Sequence, residues 1–348
     1  MSSTLTTTAI GYHLDRVGNG TDGLTLRETE FPQPGPREVL IRVRAVSLNR
    51  RDLMILDGTY PLPSAPGVVP VSDGAGEVVA VGGDVSRVRV GDRVAVTYFR
   101  RWIDGPVTAA VAGEQTGCND EGMLAEYKLA GEESVVTIPS HLSFEEAATL
   151  PCAAVLAWSA LTSPDRPMVA GDTVLTVGTG TVGLFGLQLA AMLGGRVIAI
   201  TSGADKAARL TALGAAEVVD RADTPDWDKA VVELTSGRGV DHVVDAVGPA
   251  TLEKSIRSAG FNGQIALLGA FPSGGAQLDP GIFNGRFVTV RKLVVGSRTS
   301  FESLNRALEQ HGTRPVVDRV FPFEQAMDAY RYFRETGPFG KVVISLPA

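Results

Sequence analysis

Thr173-Val-Leu-Thr-Val177, followed at once by Gly178-Thr-Gly180-Thr-Val-Gly183 and then by Leu184 to Leu193, is the stretch on which the reading of this chain turns. A short β-branched apolar run predicts a buried strand, and the apolar stretch after the glycines predicts a helix. Between them a GxGxxG turn has a specific use. The first glycine permits the tight turn, the second lets the backbone approach a pyrophosphate, and the third lets helix and strand pack. An anion would then rest on the helix N-terminus, where free N–H groups and the macrodipole favour negative charge. Gly178, Gly180, Thr181, Val182 and Gly183 are therefore the first candidate dinucleotide contacts. The uncharged run Thr173 to Gly195 is long enough to span a bilayer, but six glycines interrupt it, which suits strand, turn and helix better.

Downstream the chain keeps alternating. Apolar runs at Val197–Ile200, Glu217–Val219, Val240–Asp245 and Gln264–Leu268 are separated by helical stretches, the pattern of a doubly wound parallel sheet. At the end of the second strand a carboxylate would select NAD by binding its ribose 2′-hydroxyl. Thr201 stands there instead, with Ser202 and Lys206 nearby, so NADP(H) is the expected cofactor. Upstream, Val39 to Val96 is a series of short β-like runs punctuated by Gly and Pro, a compact β-barrel-like module. Phe99 to Met123 has no period and is expected to be a long loop, with Tyr98, Phe99 and Trp102 as a candidate aromatic wall. Ser143-Phe-Glu-Glu146 is a capping box that opens an Ala-rich helix, expected to end or kink at Pro151.

Composition sets outer limits. The 348 residues suffice for two domains, and a net charge of −7 argues against nucleic acid, whose phosphates draw clustered Lys and Arg. The first ten residues lack the basic and apolar regions of a secretory signal, and two cysteines, Cys118 and Cys152, make neither a disulfide framework nor a CxxC zinc site. A soluble cytoplasmic protein, with no membrane partner, is expected.

Several further motifs carry a resemblance: Ser47-Leu-Asn49-Arg-Arg-Asp52, Gly58-Thr-Tyr60-Pro61, Val71-Ser72-Asp73-Gly74-Ala-Gly76, Val90-Gly91-Asp92-Arg93-Val94, Ala147-Ala-Thr-Leu-Pro151-Cys152, Gly237-Arg-Gly239-Val-Asp241-His-Val-Val-Asp245 and Phe339-Gly340-Lys341-Val-Val. With the glycine turn, they make the whole chain resemble the medium-chain dehydrogenase/reductases, and among them the zinc-independent, quinone-oxidoreductase-like branch. The resemblance implies an α/β fold, with a GroES-like β-barrel catalytic domain over residues 1–146 and 298–348 and a Rossmann dinucleotide-binding domain over 147–297. It implies a homodimer acting on a small conjugated carbonyl compound or a quinone. In zinc-dependent relatives, Cys, His, Glu and Cys stand where this chain has Asn49, Ser72, Asp73 and Cys152. One soft ligand survives, and the histidines at 13, 141, 242 and 311 show no spacing to replace the rest, so no metal is expected.

By the same resemblance Tyr60 is the candidate hydrogen-bond donor or acid, Asn49 an orienting contact and Asp52 a structural partner of their loop. Arg221, Gly248, Gly269, Ser297, Arg298 and Lys341 match segments that surround the cofactor. Without a Lewis acid, hydride addition to an activated C=C of an enone, enoyl compound or quinone is the expected reaction. A zinc-free alcohol dehydrogenase or carbonyl reductase, and a non-catalytic NADPH-binding protein, are the alternatives.

Overall fold

Every residue of the strand Thr173–Val177 is buried. A strand buried on both faces belongs inside a parallel sheet with covered faces, and this one pairs in parallel with Arg196–Thr201 on one side and Val240–Asp245 on the other. In a computed structural model, described over residues 7–31, 33–269, 279–284 and 287–347, the chain forms two units, Leu156–Val295 and the pair Met1–Val155 with Gly296–Ala348.

The first unit holds a six-stranded sheet in the spatial order Ala215–Asp220, Arg196–Thr201, Thr173–Val177, Val240–Asp245, Ala259–Leu267, Thr289–Lys292. The strands therefore run 3-2-1-4-5-6 in chain order, the doubly wound Rossmann arrangement, with its switch point beside the first strand. Leu175, Ile198 and Val243 from the sheet pack with Trp227 and Val231 from the helix Trp227–Leu234 and Ile256 from the helix Pro249–Ser258. Each such buried side chain contributes about 1.5 to 3 kcal/mol of transfer free energy. The run Thr173 to Gly195 resolves into strand, glycine turn and the helix Thr181–Met192. Among the described residues, no helix is long and apolar enough to cross a membrane.

In the second unit, Glu38–Ser47 is the central strand. It pairs antiparallel with Asp73–Val81, Tyr127–Gly131 and Lys341–Ser345, and the sheet continues through Arg93–Val96 to Val135–Thr137 on one side and Val317–Pro322 on the other. This is the GroES-like barrel, filled by Val39, Ile41, Val43, Val78, Val94, Met123 and Ile344. A hairpin of Thr7–Leu14 and Leu24–Phe31 adds to it through bridges from Gly11 to Ala125 and Leu14 to Val68.

The capping box forms as read, with Glu146 N donating to Ser143 Oγ and Ser143 N to Glu146 Oε2. Its helix is short, Phe144–Ala147, and Pro151 lies in the first turn of a wide helical segment, Leu150–Ala154, rather than ending the earlier helix. The segment Phe99 to Met123 is irregular apart from one helical turn, Ala109–Ala112, capped by Thr108.

Candidate active site

The glycine turn has the form that a dinucleotide requires. Gly178 takes φ +99°, a conformation that strains any other residue. A Cβ on Gly183 would lie 2.0 Å from the Gly178 carbonyl oxygen, whereas one on Gly180 would meet nothing within 4 Å. The third glycine is needed by the protein itself, and the second faces open space. Thr181, Val182 and Gly183 form the first turn of the helix behind it.

A cavity of about 220 Å³ opens at this turn, lined by Gly178, Thr179, Gly180, Thr201, Ser202 and Arg221 among others. Arg221 is exposed, and its backbone N–H donates to the Thr201 carbonyl. Asp220, the acid beside Arg221, accepts from Ala222 N and is not part of the lining. Lys206 falls in the one-turn helix Ala204–Lys206, also outside the lining. The opposite wall rests on Asp245. Its buried carboxylate accepts from Val247 N, Gly248 N, Thr251 Oγ1 and Ser255 Oγ at 2.7 to 3.0 Å. Burial raises this carboxyl's pKa even though all four donors lower it. Gly248 and Gly269 meet backbone to backbone, since a Cβ on Gly248 would come 2.9 Å from the Gly269 oxygen. These residues fit a dinucleotide.

In the barrel unit, Asn49 precedes the helix Arg50–Leu56, and its N–H donates to Asp52 Oδ2 at 2.7 Å. Asp52 thus caps the helix. Its carboxyl is pushed up to about 6, chiefly by burial, against the opposing pull of Arg51. Lys341, 0 % exposed, donates from Nζ to Asn49 Oδ1 at 2.8 Å and to Asp73 Oδ2 at 3.2 Å. Ser72 Oγ donates to the other Asp73 oxygen at 2.9 Å. Four residues from three separate stretches of the sequence therefore share one buried polar cluster.

Beside it, Tyr60 Oη donates to Gln115 Oε1 at 2.6 Å and lies 3.1 Å from Tyr98 Oη. Tyr98 Oη also donates to Gln115 Oε1 at 2.8 Å. The Arg51 guanidinium sits over both rings, 5.1 and 4.7 Å from their centroids, and donates to Thr116 O and Gln115 Oε1. Phe99 packs edge-on to Tyr98 and Trp102 edge-on to Phe99. Sequence reading passed over Arg51 and Gln115. Arg51 stands inside a quoted motif, while Gln115 lies in the unperiodic segment and carries no local signal.

Ser297 and Arg298 open the helix Arg298–His311 in the same unit. Ser297 Oγ accepts from Ser300 N, and the Arg298 guanidinium pairs with Glu133 and Glu302.

The zinc that the resemblance associates with this fold can be tested against these donors. Asn49 and Asp73 already accept from the Lys341 ammonium, Ser72 offers only a hydroxyl, and the Cys152 thiol is held far above its ordinary range by burial and by Asp73. A zinc site wants three N or S ligands, with thiols as thiolates. These residues do not fit one. Among the described residues, no group of three or more His, Cys, Asp or Glu side chains could hold a metal ion.

Residues 35–140 match the model of the alcohol dehydrogenase GroES-like domain and residues 181–310 that of the zinc-binding dehydrogenases. A zinc-type alcohol dehydrogenase-like protein of Schizosaccharomyces pombe is 37% identical over 344 residues, 97% of this chain and 99% of that protein. A quinone oxidoreductase of Pseudomonas aeruginosa is 34% identical over 251 residues, 72% of this chain and 70% of that protein. The crystal structure of an NAD-dependent alcohol dehydrogenase superposes with a TM-score of 0.86 at 31% identity, covering 97% of this chain and 100% of that one. On the fold of both units and on these likenesses, the chain belongs to the medium-chain dehydrogenase/reductase family of oxidoreductases.

Proposed function

We propose that the protein is a zinc-independent, NADPH-dependent reductase of activated carbon–carbon double bonds in small conjugated carbonyl compounds or quinones. The observation that carries this reading is the Lys341 ammonium, held by Asn49 and Asp73 where the resemblance would set a metal ion. A localised alkoxide calls for the several kcal/mol that a Lewis acid supplies, whereas an enolate spreads its charge and forms with a hydrogen-bond donor and a proton source.

The glycine turn would hold the pyrophosphate on backbone N–H groups, and Thr201, Ser202 and Arg221 would meet a 2′-phosphate, with Lys206 adding charge at longer range. When bound, the nicotinamide supplies the hydride. Asn49 donates to the substrate oxygen as its charge builds. Tyr60, only partly buried, gives the proton from its hydroxyl and is reprotonated from solvent, with Tyr98 and Gln115 holding it in place. Asp52 keeps Asn49 at the head of its helix. In this reading Ser297, Arg298 and Lys341 serve the barrel unit rather than the cofactor.

A homodimer acting in the cytoplasm completes the proposal. Phe261 and Phe287, 72% and 67% exposed, lie 5.8 Å apart at the outer edge of the Rossmann sheet, an apolar pair suited to burial against a second copy.

The relatives named as alcohol dehydrogenases favour a second reading, carbonyl reduction. Titrating the protein with NADPH and then following NADPH consumption over a panel of enones, quinones and simple ketones tests both. Turnover on enones or quinones is expected. Turnover on simple ketones alone selects the second reading, and tight NADPH binding without turnover on any of them contradicts both.

A further inference from the structure

Lys341 lies at the start of the strand Lys341–Ser345 and has no exposed surface. A fully buried ammonium is costly unless paired and hydrogen-bonded. Asp73 supplies the charge, with its second oxygen tied to Ser72. The shorter of the two Lys341 contacts, however, goes to the neutral carboxamide of Asn49.

That contact has a directional consequence. An ammonium has donors only, so it can bind a carboxamide at one end alone, the oxygen. The amide is planar. Fixing Oδ1 on Lys341 therefore turns Nδ2 to the other side, and Nδ2 is buried without a hydrogen-bond partner in a residue only 9% exposed. An orphaned buried N–H costs about 1 to 3 kcal/mol, a cost that is recovered when an acceptor arrives. The positive charge behind the amide also polarises it, which strengthens donation from Nδ2 to an oxygen that is gaining negative charge.

We infer that Lys341 is the positioning cation of this site: it holds Asn49 by Oδ1, so that Asn49 Nδ2 is presented to the substrate oxygen. The inference rests on the reading above, in which Asn49 meets that oxygen. The ammonium does at one remove what a bound metal does directly, orienting and polarising the group that receives the developing charge.

The test compares the full-length wild type with the Asp73→Asn/Lys341→Met double variant. Removing both charges together leaves no unpaired buried ion, so folding does not depend on Lys341 alone. Two quantities are read, kcat on an enone with NADPH and the ionisation of para-nitrophenol bound to the oxidised-cofactor complex. The phenolate stands in for an enolate, and its colour reports its charge. In the wild type, bound nitrophenol should ionise at lower pH than in free solution. In the double variant that displacement should vanish and kcat should fall about a hundredfold relative to the wild type, as when an oxyanion donor is lost, with NADPH affinity unchanged. Equal kcat and equal nitrophenol ionisation in the wild type and the double variant would overturn the role given to Lys341. A wild type that neither turns over enones nor displaces the nitrophenol ionisation would instead overturn the functional reading itself, and the inference with it.

Discussion

The Arg221 backbone N–H donates to the carbonyl of Thr201 at 3.0 Å, which joins the ends of two neighbouring parallel strands at one wall of the cofactor cavity. The pairing sets exposed Arg221 in one cavity lining with Ser202 and with Thr201, which stands at the strand end that an NAD-selecting carboxylate would occupy. NADPH should therefore bind at least about tenfold more tightly than NADH, since a charge-assisted contact contributes about 1.5 to 3 kcal/mol. Arg221→Ala should close most of that gap and leave NADH affinity unchanged. Equal affinities in the wild type, measured by fluorescence titration, would remove the assignment. Lys206→Ala should have the smaller effect, because Lys206 stands outside the cavity lining.

Dialysis against a strong chelator should change neither the activity nor the unfolding midpoint, because Asn49 and Asp73 already serve the Lys341 ammonium. Elemental analysis should find no stoichiometric zinc. Activity lost on chelation and restored by zinc would contradict the donor chemistry set out above.

Tyr60→Phe should lower kcat about ten- to a hundredfold with NADPH affinity unchanged, as expected when a proton donor is removed. The Tyr98–Gln115 hydrogen bond survives the change, so the fold around it should persist. A variant with wild-type kcat would leave Tyr60 a packing role beside Arg51.

Asp52 gives the stability a defined pH dependence. Its carboxyl titrates near 6 when folded against an ordinary value of 3.8, so between those values the folded chain keeps a proton that the unfolded chain releases. Stability contributed by this group is full below the lower value and lost as pH rises through the upper one, by about 3 kcal/mol. Asp52→Asn keeps an acceptor for Asn49 N–H and should flatten this part of the curve. Denaturant unfolding of both proteins across the window checks it, and parallel curves would refute the assignment to Asp52.

What could be read from sequence was what is encoded locally. Thr173–Val177 and its glycines specify strand, turn and helix within a few residues, and Ser143 with Glu146 specifies a cap. The strands that escaped notice have mixed patterns for physical reasons. Tyr127–Gly131 carries Lys128, buried because its ammonium donates to the Glu121 carbonyl. Thr289–Lys292 is a sheet edge with two of its four residues charged, and Leu24–Phe31 is a largely exposed hairpin arm with Arg27, Glu28 and Glu30. In the site, Asn49, Asp52 and Tyr60 could be picked out through motif matches. Lys341 meets partners 292 and 268 residues away, and Gln115 gathers Tyr60, Tyr98 and Arg51 from a segment without a period. No local pattern predicts such contacts.

The most direct measurement is where the hydride goes. The enzyme is given an enone and NADPH deuterated at its transferable position, and the product is isolated and its label located by NMR. With Asn49 and Lys341 in place of a metal, deuterium should appear on the carbon β to an intact carbonyl, in the saturated ketone. Deuterium on the carbinol carbon of an allylic alcohol would contradict the account.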